Sequence, residues 1–198
     1  TISAPVLLAD NTVITVSPAA GNLSITGALS ASEVNLTKAG GGRLTLANIE
    51  AAGLTIAEGA VAIAPHAAAS EPSTSVLSTL SIAGDAAPTA KLDLTNNAAI
   101  LNYTGPSPAA TVRQQLLTGR GGPGLGAAWN GQGITSSAAA TVNATDAESR
   151  SVGFAENSAL PLGSYSTFRG QPVDDTSVLI AFTRTGDANL DGLVNDDD

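Results

Sequence analysis

The chain has 198 residues, a net charge of −9, 3% aromatic residues, and neither Cys nor Met. That composition excludes disulfides and thiolate metal sites, and two Lys with six Arg are a poor basis for phosphate-driven nucleic-acid binding. No apolar run approaches the roughly 20 residues of a membrane span.

The chain begins at Thr1 rather than Met, with no leader ahead of the repetitive part, and reads as a processed or partial chain. Its first hundred residues repeat one short phrase: LSITG (23–27), VNLTK (34–38), RLTLAN (43–48), GLTIAEG (53–59), AVAIAP (60–65), TLSIAGD (79–85) and KLDLTNN (91–97). Each alternates apolar and polar residues, the mark of a strand with one buried face. The inward pairs are Leu23/Ile25, Val34/Leu36, Leu44/Leu46, Leu54/Ile56, Val61/Ile63, Leu80/Ile82 and Leu92/Leu94. Short, similar strands at regular spacing fit a sandwich or a solenoid. Small aliphatic inward residues suit a narrow stacked interior, so the expectation is an all-β chain whose residues 1–104 form a β-solenoid.

The stretch LTKAGGGRLTLANIEAAGLTIAEGAVAIA (36–64) resembles the autotransporter-associated β-helix repeat, with Lys38, Gly40, Gly42, Leu44, Leu46, Gly53, Leu54, Gly59 and Val61 at the matching positions. The resemblance implies a right-handed β-helix on an exported surface protein.

Beyond Tyr103 the texture changes. SPAATVRQQLLTGRGG predicts one helix over 108–118, with Ser107 able to cap it, Pro108 in its first turn, Ala109, Val112, Leu116 and Leu117 as an apolar stripe, and Gly119 as its stop. Residues 151–156 and 177–184 read as strands, and Trp129 as the anchor of a small mostly-β segment over 105–186 that caps the repeats. WNGQGITSSAAA, SVGFAE and FRGQPVDDTSVLIAFTRTGDANLDGLVNDDD together resemble the C-terminal portion of large secreted surface proteins of planctomycete-type bacteria, where such a block precedes a dockerin-like calcium motif.

The final stretch, 187–198, carries the sharpest chemistry. Asp187, Asn189, Asp191, Gly192, Asn195 and Asp198 fall at positions 1, 3, 5, 6, 9 and 12 of a twelve-residue frame, the spacing of an EF-hand-type calcium loop. Calcium takes six to eight oxygens, and carboxylates and amides at this spacing wrap the chain around one. The expected ligands are Asp187, Asn189, Asp191, the Leu193 carbonyl, Asn195 and Asp198. Gly192 permits the turn, and Val194 is the apolar residue expected to point inward. Asp174 and Asp175, just before a strand, read as turn residues with a possible second role beside a cation.

Other features carry less. GRGGPG (119–124) matches a dinucleotide fingerprint but follows a helix and contains Pro123, so it reads as a loop. His66, the only histidine, lies among small residues and reads as a loop residue rather than a catalytic base. The acids of the repeats are scattered, without the cluster that glycosidases need. The expected protein is a non-enzymatic extracellular or cell-surface structural protein with Ca2+ at its terminal loop. It associates head-to-tail with copies of itself into a fibre or surface layer. The alternatives are a dockerin-like docking module and a polysaccharide-binding or polysaccharide-active β-helix.

Overall fold

The computed structural model describes residues 1–67, 73–121, 128–146 and 149–198. Strands β1 (Val6–Leu7), β2 (Thr12–Thr15), β3 (Asn22–Ile25), β4 (Leu29–Ala39), β5 (Arg43–Leu46), β6 (Glu50–Ile56), β7 (Ala60–Ile63), β8 (Thr74–Ile82), β9 (Lys91–Asp93) and β10 (Ala98–Asn102) come first. Helix α1 (Ala109–Gly119), strand β11 (Gly133–Thr135) and helix α2 (Ser137–Asn143) follow. Then come β12 (Arg150–Glu156), β13 (Thr167–Phe168), β14 (Gln171–Pro172) and β15 (Ser177–Arg184). All seven alternating phrases are strands, and their inward pairs are buried or packed against one hydrophobic cluster.

The strands form two main sheets. The larger has eight strands in the order β1-β4-β6-β8-β10-β15-β12, with β2 also paired to β4. The smaller runs β11-β9-β7-β5-β3 and is parallel throughout. From β3 to β10, successive strands alternate between the sheets. Leu44, Leu46, Val61 and Ile63 of the smaller sheet share one cluster with Leu36, Leu54, Ile56 and Ile82 of the larger. Two apolar sheet faces thus close on each other and exclude water, the dominant stabilising term for such layers.

This architecture corrects the expected right-handed β-solenoid followed by a separate cap. The larger sheet is mixed: β15 lies antiparallel to both β10 and β12. Nor do residues 105–186 stand apart, because β11 extends the smaller sheet and β15 and β12 complete the larger. The cause is in the sequence of β15, SVLIAFTR, which is apolar on both faces. Val178 and Ile180 enter the main cluster, while Leu179 and Ala181 join a second cluster with Ala98, Ile100, Leu160, Phe168 and Leu190. A strand apolar on both sides is stable only inside a sheet covered on both sides. A stack with one thin interior has no place for it.

Helix α1 is one residue longer at its C-terminal end than expected. The Ser107 hydroxyl accepts the Ala109 N–H at 3.1 Å, while Pro108 takes the cap position. Helix α2 is an addition to the sequence expectation; its Ser136 side chain accepts the Ala139 N–H at 2.9 Å. Buried Asp93 links this helix to the sheets: Oδ1 accepts from Thr95 N at 3.0 Å and Ser137 N at 2.9 Å, and Oδ2 pairs with Arg43 at 3.1 Å.

Candidate metal centre

Strand β15 ends at Arg184, and Gly186 (φ +102°) turns the chain into 187–198. The element that leads into this segment is a strand, not a helix. Asp187, at the foot of the loop, is only 5% exposed. Its Oδ2 accepts from the Thr183 hydroxyl of β15 and from Gly192 N at 2.9 Å, joining positions 1 and 6 of the frame. Its Oδ1 is buried with no hydrogen-bond partner among the described residues. An anionic oxygen withdrawn from water and left unpaired is costly, and a cation is the partner that removes the cost.

The other frame residues curl the backbone in the same way. Asn189 Oδ1 accepts from Asp191 N at 2.9 Å, and Asp191 Oδ1 accepts from Leu193 N at 2.7 Å. Gly192, at φ +94°, supplies the left-handed turn between them. Asn195 Oδ1 accepts from Asp197 N at 2.8 Å. Asp198 closes the loop: Oδ1 accepts from Ala188 N at 2.8 Å and Asn189 N at 3.3 Å, and Oδ2 from Asn195 N at 2.9 Å. These backbone donors, led by Asn195, hold the Asp198 carboxyl below its ordinary range.

A residue outside the frame docks the loop. Leu190, 2% exposed and at φ +65°, plugs into the second cluster beside Phe168 and Leu179. Gly153 of β12 makes room for it, since a Cβ there would stand 2.5 Å from the Leu190 Cδ2. The Tyr165 hydroxyl donates to the Asn189 carbonyl at 3.0 Å. Burial raises the Tyr165 pKa, and the charges of Asp191, Asp187 and Asp198 raise it further. All three carboxylates therefore act on the same small region. Val194 is corrected as the inward residue: it is 53% exposed, and Leu190 takes that part.

The donor chemistry suits a hard cation, with carboxylate and amide oxygens and no nitrogen or sulfur ligand in the frame. The present spacing is looser than a ligand shell. Among the described residues, no three His, Asp or Glu side chains stand close enough together to hold a metal ion. Most of their oxygens are spent on the loop's own N–H groups. Asp174 and Asp175 do not join them. Asp174 Oδ1 accepts from Thr176 N and Oγ1 at 2.8 and 2.7 Å in the turn before β15, and Asp175 Oδ1 accepts from Ser164 Oγ at 2.6 Å.

The remaining candidates are placed as follows. His66 is half-buried rather than exposed; its backbone N–H and carbonyl are both bonded by the Asn96 side chain, at 3.1 and 3.0 Å. In the GRGGPG string, Gly119 ends α1, and residues 122–124 lie outside the described residues. Trp129 is buried in the main cluster. No helix among the described residues is long and apolar enough to cross a membrane.

No family model, no curated protein and no solved structure matches the chain. The resemblances to surface-protein repeats and to a dockerin-like loop rest on their motifs.

Proposed function

We propose that the protein is a calcium-binding structural protein of the cell exterior, in which Ca2+ at loop 187–198 fastens the C-terminal segment to the β15–β12 end of the larger sheet. The observation that carries this reading is the buried, unpartnered Oδ1 of Asp187 at the first position of a loop curled about its own Asp and Asn side chains. Asp187, Asn189, Asp191, Leu193, Asn195 and Asp198 would hold the ion, and binding includes drawing their oxygens closer together. What calcium supplies is charge neutralisation for an acidic segment. The protein supplies the anchorage, through Leu190, Thr183 and Tyr165.

Self-association completes the proposal. Up to β10 in the larger sheet, and throughout the smaller, the strands are added in chain order, so β1, β2 and β3 share one end of the molecule. That end presents open strand edges and the exposed side chains of Ile2, Leu7 and Val13, a surface suited to another copy.

Calorimetric titration with calcium tests the site. Saturable binding is expected in the range of about 0.1–1 mM found for extracellular modules, with a rise in melting temperature that chelation reverses. Asp187→Ala and Asp191→Ala should each abolish both effects. An absence of heat and of a melting shift at about 10 mM calcium, ten times the weak end of that range, overturns the reading.

A further inference from the structure

The basic residues gather on helix α1 and strand β12. Helix α1 and its C-cap present Arg113, Leu116, Leu117 and Arg120 at spacings of three, four and seven, which places them on one helical face. Strand β12 presents Arg150, Val152 and Phe154 at alternate positions, which places them on one strand face. The two faces enclose a cleft of about 290 Å³, and Trp129 forms part of its wall. Three of the six arginines of a chain with net charge −9 therefore line a single cleft. Arg113 and Arg150 are in no ion pair among the described residues. The buried indole N–H of Trp129 has no acceptor there either. The backbone fixes this tryptophan in place: its N–H donates to the Arg120 carbonyl at 3.1 Å.

A mainly apolar pocket with a few convergent polar donors is the ordinary form of a small-molecule site. Here the convergent groups are guanidinium forks, whose planar donors match a carboxylate. The walls beside them are Leu116, Leu117, Trp129, Val152 and Phe154, which offer nothing to a bare inorganic ion. The volume admits one ring or a short chain. We propose that this cleft binds a small organic carboxylate with an apolar body. The carboxylate is held by Arg113 and Arg150, and the body packs against the leucines and Phe154.

Trp129 is the only tryptophan in the chain, so its fluorescence reports on the cleft alone. Phenylacetate is the probe, phenylacetamide its uncharged counterpart, and inorganic phosphate an anion without a body. Phenylacetate should give a saturable change with a Kd of about 1 mM or tighter, and the other two should bind at least about tenfold more weakly. Arg113→Gln, on the exposed side of α1, and Leu117→Glu, which sets a like charge at the mouth, should each weaken phenylacetate by about tenfold or more. Equal binding of the amide, equal binding of phosphate, wild-type affinity in both variants, or no saturation at about 20 mM each overturns the proposal.

Discussion

Single side chains decide where the corners of this fold lie. Lys38 is fully buried, and its Nζ donates to the carbonyls of Ala39, Gly40 and Glu58 at 3.0, 2.5 and 3.1 Å. Burial lowers its pKa, and the nearby Glu58 charge works in the opposite direction. Three acceptors account for all three ammonium donors, so the residue joins the turn after β4 to the turn after β6. Asp174 plays a comparable part before β15. Its bonds from Thr176, side chain first, hold its carboxyl below the ordinary value of 3.8. A carboxyl depressed in the folded state stabilises fully above its unfolded pKa, and that contribution is lost as pH falls through the folded pKa. Asp174→Asn should therefore lower the midpoint of denaturation clearly at pH 7 and much less at about pH 2–3. Equal losses at both pH values, measured by urea melts, would show that the charge of Asp174 contributes nothing. The turn role of Asp174 is visible in the sequence, since Asp before a strand is local chemistry. The burial of Lys38 is not, because its third partner lies twenty residues away.

Among the elements, legibility followed the burial pattern. The seven phrases are half-buried strands, and alternation marks them. Helix α1 carries an apolar stripe between a serine and a glycine. Helix α2, SAAATVN, has no stripe, and its one signal is the capping Ser136. The two-residue strands β1, β13 and β14 are too short for any period to show. The metal loop is half legible. Its ligand positions are a local pattern, but Gly153 and Tyr165 come from distant segments. Leu190 shows what that costs a sequence reading: it sits at φ +65°, a conformation unfavourable for a residue with a Cβ by on the order of 1–2 kcal/mol, and its burial offsets this. Leu190→Ala should destabilise the protein by about 2–4 kcal/mol and weaken calcium binding with it. Leu190→Gly should be no worse than alanine, because glycine releases the backbone strain. A loss below about 0.5 kcal/mol for alanine in thermal melts, the level of an ordinary surface change, would mean that the loop is not anchored there.

On the scale of the molecule, hydrophobic period identifies strands but not the direction of their pairing. That is why β15 could be placed as a strand while its antiparallel entry between β10 and β12 could not. The consequence is a molecule with two unlike ends. At the far end, α1 packs on β11 and β12, and α2 packs on β12. At the near end, β1 and β2 form the outer margin of the larger sheet, with Leu7 77% and Val13 63% exposed and Ile2 41% exposed beside them. Charged residues, lysine above all, are how sheet margins avoid pairing with other chains, and Leu7 and Val13 stand where such residues would serve. If copies associate through this end, electron micrographs of the wild type in about 1 mM calcium, the concentration of the extracellular medium, should show linear assemblies. The double variant Leu7→Lys, Val13→Lys should remain monodisperse, with an unchanged melting temperature because both side chains lie outside the core. Assemblies that persist in the double variant would place the contact elsewhere on the molecule. Monodisperse wild-type particles, with calcium and after chelation alike, would remove self-association from the proposed function and leave the calcium loop as a purely internal fastening.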